Sequence, residues 1–286
     1  RPICVVINNS PVARPQYGLA EAEIVYEYIM EGRAVTRFTA IYLVGEAERI
    51  GPVRSARLIN YVLSPQYDCA LAASGGNDHT RWLLKHKADF PYLDIDLDDP
   101  GNNIYSYSIG KHWETRLQTN TALLRKWLQD WDAEKEQQLR GFAFDPEPPV
   151  GASGRGVRIP YSKNSAVDWL YDAAQGRYLR SVAGEAHLDA ATQKQLSAAN
   201  VIIQTVEHLP TEWVEDSLGN TSIDMVMVGE GEALVLHDGV LIEGFWRALD
   251  PHQMPEFRDA NGQVIPLKPG NTWIEVVEPT LTVTVK

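Results

Sequence analysis

The sequence predicts an α/β (α+β) N-terminal domain with a mixed sheet, plus a mostly antiparallel β C-terminal domain. Three observations predict it. In the first half, apolar strand-like runs alternate with amphipathic helical segments. Residues 144–156, "FDPEPPVGASGRG", concentrate three prolines and then three glycines, the composition of a linker. Beyond them strand signals dominate, with Asp238-Gly239 as a strong hairpin cue. The expected division is residues 1–145 as the α/β domain, 146–156 as linker and 157–286 as the mostly β domain. A chain of 286 residues exceeds what one small core usually holds, which favours two domains.

Taken in order, "ICVVINN" reads as a short buried strand and "RPQYGL" as a Pro/Gly connection. "EIVYEYIMEG" and "AVTRFTAIYLV" are two strands joined by a tight hairpin at Glu31-Gly32-Arg33. A turn near Gly32 sets Ile29 against Arg37 and Glu27 against Thr39, which places Glu27, Glu31 and Arg37 on one face. "GPVRSARLINYVL" changes to helical spacing, with Pro52 in the first turn. "DCALAASGG" is a buried strand ending in glycines, followed by a helix from "DHTRWLLKHK". "NTALLRKWLQDWDAEKEQQLR" is the clearest helical pattern in the chain. In the second half "VRIPYS", "VDWLYDA", "RYLRSV", "NVIIQTV", "IDMVMV", "ALVLHDGVLIEGFW", "TWIEVV" and "TLTVTV" read as strands. "LDAATQKQLSAAN" reads as a lone helix or an extended loop.

Composition bounds the function. The net charge of −12 argues against general DNA or RNA binding, which needs a basic footprint to displace counterions. Cys4 and Cys69 lie in apolar runs and read as buried small hydrophobes. No apolar run approaches the ~18 residues of a membrane span. The chain opens on strand-like "RPICVVI", so it is either cytosolic or a mature fragment whose export signal has been removed.

Against this acidic background the first 84 residues hold eight arginines and no lysine. Arg33, Arg37, Arg49, Arg54 and Arg57 fall within residues 31–63. Arginine grips planar carboxylate or phosphate with two parallel hydrogen bonds. Arg54 and Arg57 are three apart at an expected helix start, where free N–H groups favour an anion, and Ser55 adds a hydroxyl. "SGG" (Ser74, Gly75, Gly76) leaves a strand for a helix, the place where α/β sheets collect ligands, and forms the expected second wall. Glu27 and Glu31 would orient the arginines. The competing reading is an internal network in which these carboxylates neutralise the arginines.

Other candidates carry less chemistry. Asp94, Asp96 and Asp98 alternate in "YLDIDLDDPGNN" and could offer oxygens to calcium, yet no calcium-loop spacing follows; a solvated acidic edge is the better reading. Asp172, Arg180, His187 and Asp189 invite a catalytic reading, but no nucleophile elbow occurs, and surface strand and turn are expected there. Glu27 and Glu31, four apart on a strand, would stand ~13 Å apart, beyond either glycosidase spacing.

The blocks "ARPQYGLAEAEIVYEYIMEG", "TRFTAIY", "IGPVRSAR", "NVII", "LVLHDGVLIEGFW" and "LKPGNTWIEVV" cover most of the chain. Together they resemble the YerB-like family of predicted bacterial lipoproteins, whose domain has no known function. The resemblance implies two domains, export, and a lipid anchor at a cysteine absent from this fragment. It also implies that Arg14, Gln16, Glu27, Glu31, Arg37, Arg54, Ser55 and Arg57 stand at motif positions. "RLQTNTALL" departs from the family pattern, with Thr119 in the place of a histidine beside Asn120.

The expectation is therefore an extracytoplasmic, membrane-anchored envelope protein. It would bind an anionic small molecule or cell-wall polymer through Arg14, Glu27, Glu31, Arg37, Arg54, Ser55, Arg57, Ser74, Gly75 and Gly76. The second domain, with exposed aromatic candidates such as Trp246, would contribute a wall or a protein contact. No motif calls for a cofactor or a resident metal. Two alternatives stay open: a metal-dependent phosphoryl or glycosyl-phosphate transferase with Asp78 or Glu31 as base, and a pure protein-interaction module.

Overall fold

The computed structural model describes residues 1–286. Its first half contains β1 (Ile3–Asn8), β2 (Ile24–Ile29), β3 (Thr36–Tyr42), α1 (Leu58–Gln66), β4 (Ala70–Ala73), α2 (Asp78–His86) and β5 (Tyr92–Asp94). The second half adds β6 (Asn200–Thr205), β7 (Gly229–His237), β8 (Val240–Ala248), β9 (Glu256–Asp259) and β10 (Thr272–Val277) to the same sheet. The strand order is β9-β8-β7-β6-β10-β2-β3-β1-β4-β5. The sheet is mixed: β1 and β4 run parallel, as do β6 and β10, while β2 and β3 are antiparallel. No helix is long and apolar enough to cross a membrane.

The two halves meet inside this sheet, where β2 lies parallel to β10 with Glu27 opposite Glu275. Both strands are buried, and their residues read as near-continuous apolar runs, as sheets covered on both faces require. A second sheet covers one face. It contains Gly156–Pro160, Ala166–Asp172 and Arg177–Val182, joined by the short strands Glu185–Ala186 and Thr284–Val285. Trp169 of that sheet packs edge-on against Trp273 of β10, ring centres 5.2 Å apart. On the other face α1 sits over Tyr26, Tyr28 and Thr39; Asn60 Nδ2 donates to Thr39 Oγ1 at 2.7 Å. One cluster of 65 buried apolar residues runs through both halves, so the core does not divide at the linker. Residues 152–153 of the Pro/Gly-rich stretch themselves pair with β8.

Several local expectations change in the folded chain. The long helical pattern after Asn120 yields a helix only over Thr121–Asp130. Residues 187–199 form loop and a two-residue strand, with no helix. Asp238 and Gly239 do make the tight β7–β8 turn, both at positive φ. Trp246 is buried at 2% exposure, with its indole N–H on the Thr205 carbonyl, so it is no exposed wall. Cys4 and Cys69 are free and buried.

The β2–β3 register differs by one step from the expected hairpin. Tyr28 opposes Arg37 and Glu27 opposes Phe38. The turn includes Gly32 and Arg33 at positive φ and closes with Met30 N–H on Val35 O. A one-residue slip sends every side chain to the other face. Glu27 and Arg37 therefore point to opposite sides of the sheet.

Candidate anion-binding site

Three chain segments bring the arginines together on the α1 side. Arg37 rises from the start of β3. Arg54 and Arg57 come from an extended segment that bridges to β1, since Ile7 pairs with Val53 and Arg54 N–H reaches Val6 O. Pro52 thus lies well before the helix rather than in its first turn. Helix α1 begins at Leu58, and Arg57 caps it, with its own N–H bonded to Asn60 Oδ1 at 2.7 Å. The third segment is the turn at Glu31.

Each arginine has a different fate. Arg57 is gripped by Glu31, Nε to Oε2 at 2.8 Å and Nη2 to Oε1. Burial disfavours both charges, but these bonds hold the Glu31 carboxyl below its usual range and the Arg57 guanidinium above its own. Arg37 is 7% exposed and has no carboxylate in ion-pair contact; its Nη1 donates to Ser55 O at 2.9 Å and its Nε has no partner. Burial, then repulsion from Arg57, brings its pKa down to about 9. It stays charged at neutral pH, but poorly compensated. Arg54 lies over the Trp113 ring at 4.4 Å, also with an unpartnered Nε. Burial lowers its pKa as well; Glu114 opposes that shift and Arg57 adds to it.

The "SGG" wall stands beside the cluster, but the donors of Ser74 and Gly75 are already engaged, while Gly76 N–H makes no hydrogen bond within the chain. Ser74 N–H bonds to Arg54 O, Ser74 Oγ to Asp96 Oδ1 at 2.7 Å, and Gly75 N–H to Asp94 Oδ1 at 3.2 Å. Gly75 is required where it is: its φ is +79°, and an added Cβ would sit 2.7 Å from Asp96 Oδ2. The acidic run does not alternate along a strand. Asp94 ends β5 and binds Arg81, a one-turn helix follows over Ile95–Asp98, and Asp98 binds Lys85.

Arg14 and Glu27 belong elsewhere, to a buried network on the opposite face. Glu27 pairs with the fully buried Arg180, which also contacts His187 Nδ1 at 2.5 Å; His187 Nε2 meets Gln16 Oε1 at 2.6 Å. Burial and the Arg180 charge hold His187 well below the usual imidazole pKa, so it is neutral. Arg14 braces the same region through Asn9 Oδ1 and the Asn164 carbonyl. Arg180, His187 and Asp189 are thus interior, not surface, while Asp172 is bonded to its own turn. Glu275 lies beside Glu27; burial and then that neighbouring carboxylate push its pKa well up.

Two site residues carried no sequence signal. Trp113, 60% exposed, stands on a loop far along the chain from Arg54, and nothing in its own neighbourhood marks it as a platform for a guanidinium. Glu215 comes from a separate strand pair, His208–Val214 with Thr221–Met225, and its Oε2 lies 3.3 Å from Arg57 Nε.

Fold and site define a two-part α+β protein whose halves share one sheet, with a cluster of arginines where a β arm of the second half meets the loops of the first. Residues 1–134 match the family described as "Protein of unknown function (DUF3048) N-terminal domain", and residues 157–274 match its C-terminal domain. The chain belongs to this family. It is 30% identical over 281 residues to "Putative lipoprotein YerB" of Bacillus subtilis (strain 168), covering 97% of this chain and 81% of that protein. The crystal structure of the YerB protein from Bacillus subtilis superimposes with a TM-score of 0.83 at 28% identity, covering 99% of this chain and 93% of that one.

Proposed function

We propose that this chain is an extracytoplasmic, membrane-anchored protein of the cell envelope that binds an anionic group, carried by a phosphorylated or carboxylated glycan, at Arg37 and Arg54. The observation that carries the reading is Arg37: a guanidinium 7% exposed, beside two other arginines, without a carboxylate of its own. Burying a poorly compensated charge is costly, and an arriving anion would offset that cost. Export and anchoring are supported by the kinship to a protein named as a lipoprotein.

Titration calorimetry with inorganic phosphate and with glucuronate tests it. Binding to the wild-type chain should weaken at least tenfold in Arg37→Gln and in Arg54→Lys, since the second keeps charge but loses the fork. Unchanged affinity in both variants would remove the reading. The transferase alternative is disfavoured because Glu31, one of its two candidate bases, is committed to Arg57.

A further inference from the structure

We propose that two adjoining apolar cavities beside the end of α1 form a binding site for a single alkyl chain with an acidic head. The site is separate from the arginine cluster, and none of Arg37, Arg54 and Arg57 lines it.

The floor follows from strand register. Ile24 stands opposite Ile41 of β3 and opposite Thr272 of β10, so the three form one row across three strands and share a face. Ile24 is two residues from Tyr26, which puts the row on the side that α1 covers. The helix ends at Gln66, and Tyr67, just beyond it, makes one wall. An extended arm, residues 139–144, roofs the rest through Leu139, Phe142 and Phe144. Between arm and sheet lies a cavity of about 260 Å³. A second, of about 340 Å³, is lined also by Phe257 and Ile265 and shares Arg140, Gly141, Phe142 and Met254 with the first. Small-molecule sites run from ~300 to 1,000 Å³.

The arm is fastened at its ends. Leu267 N–H reaches Ala143 O at 2.8 Å, and Glu134 holds the N-terminal ammonium at 2.9 Å. Residues 135–142 make no backbone–backbone hydrogen bond, and Phe142 packs on Phe257 with ring centres 5.9 Å apart. A slender chain lying under the arm therefore breaks no backbone pairing. Leu43, Leu139, Phe144 and Val264 leave the rims apolar, at 37% to 52% exposed.

The polar side chains of the walls are already engaged. Tyr67 hydroxyl meets Tyr26 hydroxyl at 2.7 Å, and Thr272 Oγ1 accepts from Asn200 Nδ2 at 3.2 Å. Glu23 accepts the N–H groups of Leu43, Val44 and Gly45, and Glu256 pairs with Arg258 at 2.6 Å. A polar body would find no partner here and would lose its water, so the body must be apolar. Arg140 differs: it is exposed, lines both cavities and has no hydrogen bond or ion pair within the chain. Its free guanidinium complements a carboxylate or phosphate head.

Titration calorimetry of the full chain with octanoate, decanoate and dodecanoate, each below its micelle concentration, tests the site. Affinity should rise roughly fourfold per methylene, as burial of a CH₂ from water predicts. Excess acetate, which has the head without the chain, should not displace dodecanoate. Leu139→Asp sets a charge in the roof at an exposed position and should weaken dodecanoate roughly tenfold. Arg140→Gln should weaken it about threefold, the worth of one exposed charge contact, and leave dodecyl maltoside unchanged. In the wild-type protein alone, absent dodecanoate binding, equal affinity at all three chain lengths or displacement by acetate overturns the proposal. Undiminished affinity in Leu139→Asp places the chain elsewhere and overturns the site, while undiminished affinity in Arg140→Gln overturns the acidic head. A chain that sediments as a dimer and takes up no dodecanoate has a second copy on this face, which also overturns it.

Discussion

Arg57 and Glu31, 26 residues apart, hold each other by two hydrogen bonds at the mouth of the arginine cluster, with side chains only 13% and 11% exposed. Breaking a pair this shielded strands one charge. Glu31→Gln should therefore cost about 3 kcal/mol, read as a shift of the urea midpoint at pH 7. Because the folded Glu31 pKa is depressed, its contribution is present above the ordinary carboxyl pKa and is lost as pH falls through the folded value. The gap between wild type and Glu31→Gln should accordingly shrink on acidification. A gap that holds constant down to pH 3 would show that the pair contributes no such linkage.

On the opposite face, Glu27 and Arg180 form a fully buried pair between the two sheets. Arg180→Leu leaves the Glu27 carboxylate without its cation and should destabilise by roughly 3–5 kcal/mol. The loss should appear in both sheets at once, since Arg180 also lies over the Trp273 ring at 5.1 Å. Equilibrium denaturation followed by near-ultraviolet circular dichroism measures it.

Glu275 carries the opposite sign of pH dependence. Its folded pKa is raised, so the folded state binds the proton more tightly than the unfolded chain. Its contribution is complete below the ordinary glutamate pKa and falls as pH climbs from there toward the folded value. Glu275→Gln, which mimics the protonated form, should remove that loss. At pH 8 the variant should match or exceed wild type in thermal midpoint, with each unit of pKa shift worth about 1.4 kcal/mol. A variant less stable at pH 8 than at pH 5, by the wild-type margin, would count against the protonated carboxyl.

Gly75→Ala should be costly although it adds only a methyl. The residue would have to hold φ near +79° and press on Asp96. A loss of about 1–3 kcal/mol is expected from the backbone conformation alone, together with loosening of the Ser74–Asp96 bond. Gly110, also at positive φ but with open space around it, should lose less on the same change. Thermal melts of the two alanine variants compare them directly.

Much of the fold was legible because its signals are local. Apolar runs such as "ICVVIN" and "TWIEVV" name buried strands by composition, and Asp238-Gly239 names its turn. The clustering of Arg37, Arg54 and Arg57 was likewise legible, from an acidic chain that gathers arginines close in sequence. Less visible was the start of α1. Gly51-Pro52 looks like a helix opening, yet the segment's backbone hydrogen bonds go to β1 and to Gly75 O, so it stays extended until Leu58.

Which residues become strands, and that arginines gather in one stretch of an acidic chain, came from composition and periodicity, because these act over a few neighbouring residues. Tertiary structure alone decided which arginines are satisfied. Strand parity sent Glu27 across the sheet to Arg180, and Glu215 reached Arg57 from the other half of the chain. Facing, pairing and burial depend on contacts between distant segments, and a linear pattern carries no term for them.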